Sequence, residues 1–185
     1  MLEEVKMCVQ TITKGGVILY PTDTIWGIGC DATNELAVKK IFEIKKRPSS
    51  KALVILISEA SQLEFYADIP EVAYDLVEFA ENPLTIVYPH ARRIAPSLIS
   101  EDGTIAIRVV KDDFCKMIIN SIRKPLVSTS ANISGEPAPA YFDEITEEIK
   151  SKVDYVVPLR QMERKNVNPS RIIKLDLNGA IEIIR

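Results

Sequence analysis

Residues 17–29 read VILYPTDTIWGIG, and the division of this stretch decides the fold. Val17 to Tyr20 is an unbroken apolar run closed by Pro21, the pattern of a short buried strand. Thr22, Asp23 and Thr24 follow at its end, with Gly27 and Gly29 beyond. Three polar residues fit a turn held by an Asx-type hydrogen bond. They equally fit a ligand-binding loop, in which glycine lets the backbone approach closely. Trp26 fits either packing or a pocket wall. Taken alone, the stretch leaves both readings open.

Outward from this strand the chain alternates. Before it, Val5, Val9 and Ile12, with Met7 and Cys8, form a helical stripe that Lys14-Gly15-Gly16 ends, glycine taking a left-handed cap cheaply. After it, Asn34 caps a predicted helix over residues 35–46, in which Ala37, Ile41 and Ile44 share a face. Pro48 helps stop that helix. ALVILI (52–57) is a second buried strand, followed by helical segments near 59–66 and 70–81. LTIVY (84–88), TIAIRV (104–109) and PLVS (125–128) read as strands, with a helix over residues 112–122 begun by Asp112 or Asp113. A helical stretch follows Tyr141, YVVPL (155–159) is extended, and residues 171–176 and 180–185 form a closing hairpin around Asn178-Gly179. The expectation is an α/β fold: one domain over residues 1–185, a mixed parallel and antiparallel sheet flanked by helices. The pattern does not separate parallel from antiparallel neighbours.

Bulk properties narrow the function. The 185 residues carry 46% hydrophobic and 26% charged residues, as in a globular protein with a sizeable core. The net charge of −3 argues against an overall basic nucleic-acid footprint but allows a local basic patch. Three scattered cysteines suit no zinc pattern and read as reduced thiols in a cytoplasmic protein. One histidine, His90, in a predicted loop, leaves little for a histidine-rich metal site or a Ser-His-Asp triad. No metal ligands are expected from the protein. No apolar run approaches the roughly 20 residues of a membrane span, and the acidic amino terminus is unlike a signal peptide.

Besides residues 21–29, two polar clusters stand at element ends. KKRPSSK (45–51) places Lys45, Lys46 and Arg47 in the last turn of a helix, with Lys51 before the next strand. Cations there complement the helix dipole. They also suit a polyphosphate, but residues two apart do not share a helix face. If Lys45 and Arg47 serve one ligand, the helix must end or loosen between them. PLVSTSANISG (125–135) follows a strand with four hydroxyls, Asn132 and Gly135. It fits capping turns or a donor-rich anion loop. Neither G-x-x-x-x-G-K-[ST] nor G-x-G-x-x-G occurs.

In order and spacing, these clusters resemble the YrdC-type threonylcarbamoyl-AMP synthases. PTDTIWGIG is similar to that family's P-T-[DE]-T-x-[YF]-G-[LI]-G, KKRPSSKAL to K-x-R-x-x-x-[KN]-[PG]-L, and STSANISG to S/T-S-A-N-x-S-G. TIAIRV matches a strand ending in arginine, and NPSRIIKL a late Pro-Ser segment. The resemblance runs from about Gly15 to Arg185. It implies a twisted mixed sheet with a concave central cavity, and an enzyme that makes L-threonylcarbamoyladenylate and pyrophosphate from L-threonine, bicarbonate and ATP. A partner transferase complex then delivers the threonylcarbamoyl group to tRNA. Residue by residue, it implies Thr24, Arg108, Ser128 and Ser170 on L-threonine. It implies Lys45 and Arg47 as catalytic and, with Lys51, on the triphosphate. Thr104, Ser130, Asn132 and Arg185 would complete ATP binding, with Mg²⁺ held mainly through phosphate oxygens.

The chain departs from that pattern at Trp26, Ala52, Asn82, Ala138 and Ala140, the last two offering no hydroxyl where the family has a serine- or threonine-containing segment. Two alternatives accompany the enzyme reading. One is an RNA-binding module, for double-stranded RNA or tRNA, using residues 45–51 and Arg92-Arg93. The other is a diverged carbamoyl-transfer paralogue.

Overall fold

The computed structural model describes residues 1–47, 53–164 and 169–185. Pro48, Lys51 and Ala52 lie outside these residues. Among the described residues, one nine-stranded sheet runs through the fold. Helix α1 (Leu2–Thr13) leads into β1 (Ile18–Tyr20), β2 (Gly27–Gly29), α2 (Glu35–Ile44) and β3 (Val54–Ile57). Short helices α3 (Leu63–Tyr66) and α4 (Val72–Glu78) precede β4 (Leu84–Tyr88) and β5 (Ile105–Val109). Then come α5 (Asp113–Ile122), β6 (Leu126–Ser130), α6 (Glu147–Lys150), β7 (Tyr155–Val156), β8 (Arg171–Leu175) and β9 (Ile181–Ile183). The strand order is β7-β1-β2-β6-β3-β5-β4-β8-β9. The pairs β1–β7, β3–β5 and β4–β8 are parallel and the rest antiparallel. The mixed sheet expected from sequence is present and does not close into a barrel. No helix among the described residues is long and apolar enough to cross a membrane.

Residues 21–29 are more than a turn. Gly27 to Gly29 form a strand that pairs with β1 on one side and β6 on the other, so residues 21–26 are a hairpin loop. Two glycines in three residues hide a strand from any propensity scale. Gly29 is there for close packing: a Cβ at that position would lie 2.2 Å from the Val127 carbonyl and 2.7 Å from the Tyr20 ring. Tyr20, fully buried, crosses beside both glycines and donates its hydroxyl to the Val127 carbonyl at 3.1 Å.

Strand residues alternate between two apolar layers. Leu19, Ile28, Ile55, Ile57, Ile86, Ile105, Ile107 and Val127 face a layer with α2 residues Ala37, Val38 and Ile41. Ile18, Tyr20, Leu56 and Leu126 face the opposite layer, built from Val5, Cys8 and Ile12 of α1 and Phe114, Cys115, Ile118 and Ile119 of α5. The α1 stripe is read correctly at Val5, Cys8 and Ile12, whereas Val9 is only partly buried and Met7 is exposed. Its cap is a complete Schellman motif: Gly15 N–H bonds Ile12 O, Gly16 N–H bonds Thr11 O, and Gly15 has φ +78°. Helices α1 and α5 sit at one end of their face. Toward the other end, Thr85, Arg108 and Ser128 on the same side of the sheet line an open hollow.

Candidate functional site

That hollow is a cavity of about 210 Å³. Its wall is the hairpin loop (Thr24, Trp26, Gly27) and its floor the alternate residues Val54, Thr85, Arg108 and Ser128. Its rim comes from Arg47, Ser130, Ala138, Ser170 and Arg185. Period-two alternation explains the floor: on β5, Ile105 and Ile107 go into the apolar layer, so Arg108 must face the cavity.

Arg108 is 4% exposed, and a guanidinium so buried needs a partner. It has two from the hairpin loop. One terminal nitrogen donates to Thr24 Oγ1 at 3.1 Å, and the other lies 3.2 Å from Asp23 Oδ1. The loop is braced for this. Thr22 Oγ1 accepts from Thr24 N–H at 3.0 Å and meets Thr24 Oγ1 at 2.9 Å and Ile25 O at 2.8 Å. Across the cavity, Ser170 Oγ and Thr85 Oγ1 share a hydrogen bond of 2.8 Å, and Arg185 donates to Ser170 O at 3.0 Å. Trp26 is packed rather than free, 4.8 Å from the Phe142 ring centre, and still forms part of the wall.

The requirement that α2 end between Lys45 and Arg47 is met by the backbone. Lys46 has φ +49°, its N–H bonds Glu43 O, and Arg47 N–H bonds Phe42 O, a Schellman motif closed by a lysine where glycine is usual. A left-handed residue other than glycine costs about 1 kcal/mol. Its effect is to turn the chain so that Lys45 and Arg47 leave the helix on independent paths. Arg47 reaches the cavity. Lys45 goes beneath it: its Nζ donates to Ser130 O and Asn132 O (2.7 Å to the latter) and lies 3.4 Å from Asn132 Oδ1. Lys45 O accepts from Ser134 N–H at 2.8 Å. Lys45 thus clamps the 130–134 segment at both ends of its own residue. Burial, with the charge of Arg47 added, pushes its ammonium down to about 7.

The structure therefore brings Thr24, Arg47, Arg108, Ser128, Ser130, Ser170 and Arg185 together at one cavity. Lys45 and Asn132 lie behind its wall. Asn132 is engaged with its own segment, donating to Glu136 O at 2.7 Å. Thr104 is turned elsewhere, its hydroxyl donating to Asp102 Oδ1 at 2.7 Å, and it does not line the cavity. Lys51 lies outside the described residues. Ser128 is in a strand, as read over residues 125–128, and Thr129 and Ser130, expected beyond that strand, are the end of β6 itself. Of the departures, Trp26 and Ala138 stand on the cavity, whereas Asn82 is elsewhere, beside Phe79 and Arg171. Sequence reasoning missed Asp23 and Thr85 as site residues. Asp23 was visible as a carboxylate in the polar loop, but nothing local shows that its partner is 85 positions away. Thr85 was legible only as a polar residue inside an apolar strand.

Among the described residues no group of three or more His, Cys, Asp or Glu side chains could hold a metal ion. A second cavity of about 480 Å³ lies on the other side of the hairpin loop, sharing Thr24, Ile25 and Trp26 with the first and lined by Asp112, Ala140, Arg160 and Glu163.

Comparison with known families decides the lineage. The profile of the Sua5/YciO/YrdC family, described as telomere recombination, matches residues 10–185. The chain belongs to the Sua5/YciO/YrdC family. Among solved members, Sua5 from P. abyssi, crystallised in complex with L-threonine, is 30% identical with a TM-score of 0.81. The match covers 92% of this chain and 50% of that one, so the chain spans about half the length of that Sua5. MTH1692 from Methanobacterium thermoautotrophicum, solved in solution, is 31% identical, with TM-score 0.70 and coverage of 97% and 84%. E. coli YciO shares the fold at TM-score 0.85 and 22% identity, covering 100% of this chain and 89% of that one. Family membership bears out the resemblance read from the five motifs, and the sheet with its flanking helices is the fold of the family.

Proposed function

We propose that the chain makes threonylcarbamoyl-AMP and pyrophosphate from L-threonine, bicarbonate and Mg·ATP. The observation that carries this is the buried Arg108, held by Thr24 and Asp23 at the foot of a hydroxyl-lined cavity of amino-acid size. The P. abyssi relative, whose structure contains L-threonine, supports the same reading.

In this reading Arg108 takes the threonine carboxylate in a bidentate fork, with Thr24 Oγ1 beside it. Asp23 neutralises the guanidinium when no substrate is present and orients it when one is. The Thr85–Ser170 pair and Ser128 hold the amino and hydroxyl groups. Bicarbonate breaks its C–OH bond to give CO₂ and hydroxide; the threonine nitrogen bonds to the CO₂ carbon, and its proton joins the hydroxide as water, giving a carbamate. A carbamate oxygen then attacks the α-phosphorus of ATP, and the bond to pyrophosphate breaks. No protein nucleophile is required, so positioning and neutralisation of phosphate charge supply the rate enhancement. Arg47 and Arg185, at the rim, meet the phosphates together with the Mg²⁺ that ATP brings. Lys45 acts through the 130–134 segment it clamps, which carries Ser130 to the same rim. Ala138, on the cavity, leaves any contact there to the backbone. The threonylcarbamoyl group then passes, through a separate transferase, to an adenosine of tRNA.

The test is pyrophosphate release by purified protein given ATP, Mg²⁺, bicarbonate and threonine. Release should require threonine and should fall roughly tenfold with serine, which lacks one methyl group. Threonine-independent release, or none, would overturn the proposal.

A further inference from the structure

A cavity of about 390 Å³ stands apart from the site above, sharing no lining residue with it. It opens where the carboxyl ends of α3 and α5 meet the start of β6. The strand separates Lys124, at this cavity, from Ser130, at the other, by about 20 Å at roughly 3.3 Å per residue.

Its composition runs against that of the chain. The net charge of the protein is −3, yet Arg93, Arg123 and Lys124 line this cavity and none of its described lining residues is acidic. Lys124 pairs with Asp31 at 2.6 Å. The side chains of Arg93 and Arg123 make no ion pair among the described residues, and the Arg93 guanidinium lies over the Phe65 ring, 5.8 Å from its centre. Phe65 is 52% exposed, an unusual position for a phenylalanine, and half-buried Tyr66 stands next to it in the same wall.

The two arginines are held in place by the backbone. Arg93 (φ +56°) and Arg123 (φ +53°) both occupy the left-handed region, where an arginine is strained. Arg92 anchors the first of them from within: its guanidinium donates to Glu64 O and Ala67 O at 2.7 Å and pairs with Asp68, and its N–H bonds Tyr66 O. Arg92 is thereby committed to the end of α3, and only Arg93 is presented outward. Arg123 sits on the last turn of α5, its N–H bonding Ile119 O. A favourable interaction with helix carboxyl ends would account for cations at these positions. It does not account for their convergence on one cavity with two aromatic rings.

We infer that this cavity binds a nucleotide unit, its phosphate between Arg93, Arg123 and Lys124 and its planar base against Phe65 and Tyr66. Arginines recognise phosphate by forked hydrogen bonds, and aromatic rings accept any base face. The volume suits a single nucleotide. The site is independent of the proposed synthase reaction.

The experiment is a titration of the ¹⁵N-labelled chain followed by amide NMR, with AMP, adenosine, inorganic phosphate and a short single-stranded oligoribonucleotide as probes. AMP should shift the amides of Phe65, Tyr66, Arg93, Arg123 and Lys124, and adenosine or phosphate alone should bind at least roughly tenfold more weakly. The paired change Arg93→Asn and Arg123→Asn should weaken AMP at this site at least roughly tenfold, since asparagine tolerates the left-handed backbone but lacks the charge. Threonine-dependent pyrophosphate release should be unchanged, and quenching of Trp26, the chain's one tryptophan, reports the other cavity separately. Binding that tightens with oligonucleotide length identifies the nucleotide as part of a strand, and equal binding of AMP identifies a free one. Phosphate binding as well as AMP, or AMP shifting only amides around Gly27 and Ser130, would overturn the inference.

Discussion

The two glycines of the hairpin are adjacent in purpose only on paper, and replacing each by alanine should separate them. At Gly29 the new Cβ would meet the Val127 carbonyl at 2.2 Å and Tyr20 Cε1 at 2.7 Å. Neither neighbour can yield. The carbonyl is backbone of a central strand and accepts the Tyr20 hydroxyl, and Tyr20 is fully buried. Relief requires β2 and β6 to part, giving up hydrogen bonds of about 1 kcal/mol each on top of an overpacking cost of about 1–3 kcal/mol. Gly29→Ala should therefore lose about 3 kcal/mol or more, which for a chain of this length is a fall in Tm of roughly 6–12 °C. At Gly27 the Cβ would lie 3.3 Å from Ser128 Oγ, a hydroxyl that can rotate. Gly27→Ala should change stability by less than about 1 kcal/mol, while adding a methyl group to the cavity wall and weakening threonine binding. Thermal unfolding and a threonine titration on the same two variants provide the readout. A Gly29→Ala protein that melts within a degree or two of the parent, or a Gly27→Ala protein as damaged as Gly29→Ala, would refute the division of roles.

Three other outcomes follow from the same geometry. Lys46→Gly should raise the unfolding free energy by up to about 1 kcal/mol, read as a higher urea midpoint, because glycine holds the left-handed end of α2 without strain and the exposed Lys46–Glu148 pair it forfeits is worth little; a lower midpoint would count against a strained helix end. Arg108→Lys should keep the charge beside Asp23 but lose the fork, weakening threonine roughly tenfold or more, whereas Arg108→Met leaves Asp23 without its cation and should cost about 3–5 kcal/mol in urea unfolding; equal threonine affinity in the lysine variant would remove Arg108 from the carboxylate. Lys45 titrates near 7 when folded against an ordinary 10.5, so below pH 7 both states are charged and the burial cost is fully present, while between about 7 and 10.5 the unfolded chain holds the extra proton. Stability should thus rise with pH across that window relative to Lys45→Met, and parallel urea midpoints for the two proteins from pH 7 to 9 would show that Lys45 is not titrating there.

Local signals determined a good deal of this protein. The α1 stripe and its Gly15 cap, the Asn34 cap of α2, which accepts from Leu36 and Ala37 N–H, and the Asn178-Gly179 hairpin depend on residues a few positions apart. So do the alternating apolar strands, and the motif spacing was enough to name the family. Tertiary structure alone decided the rest. Gly27 and Gly29 disfavour a strand around Ile28, and the segment becomes one because β1 and β6 flank it. Lys45 and Arg47 looked equivalent in a basic run, and a single left-handed residue sent one beneath the wall and the other to the rim. Asp23 found Arg108, and Arg93 came to line one cavity with Arg123, through folding. Periodicity and capping report energies within one turn or one strand. A buried charge, a close backbone approach or a cavity takes its energy from chain segments brought together across the whole sequence, and no local pattern contains that information.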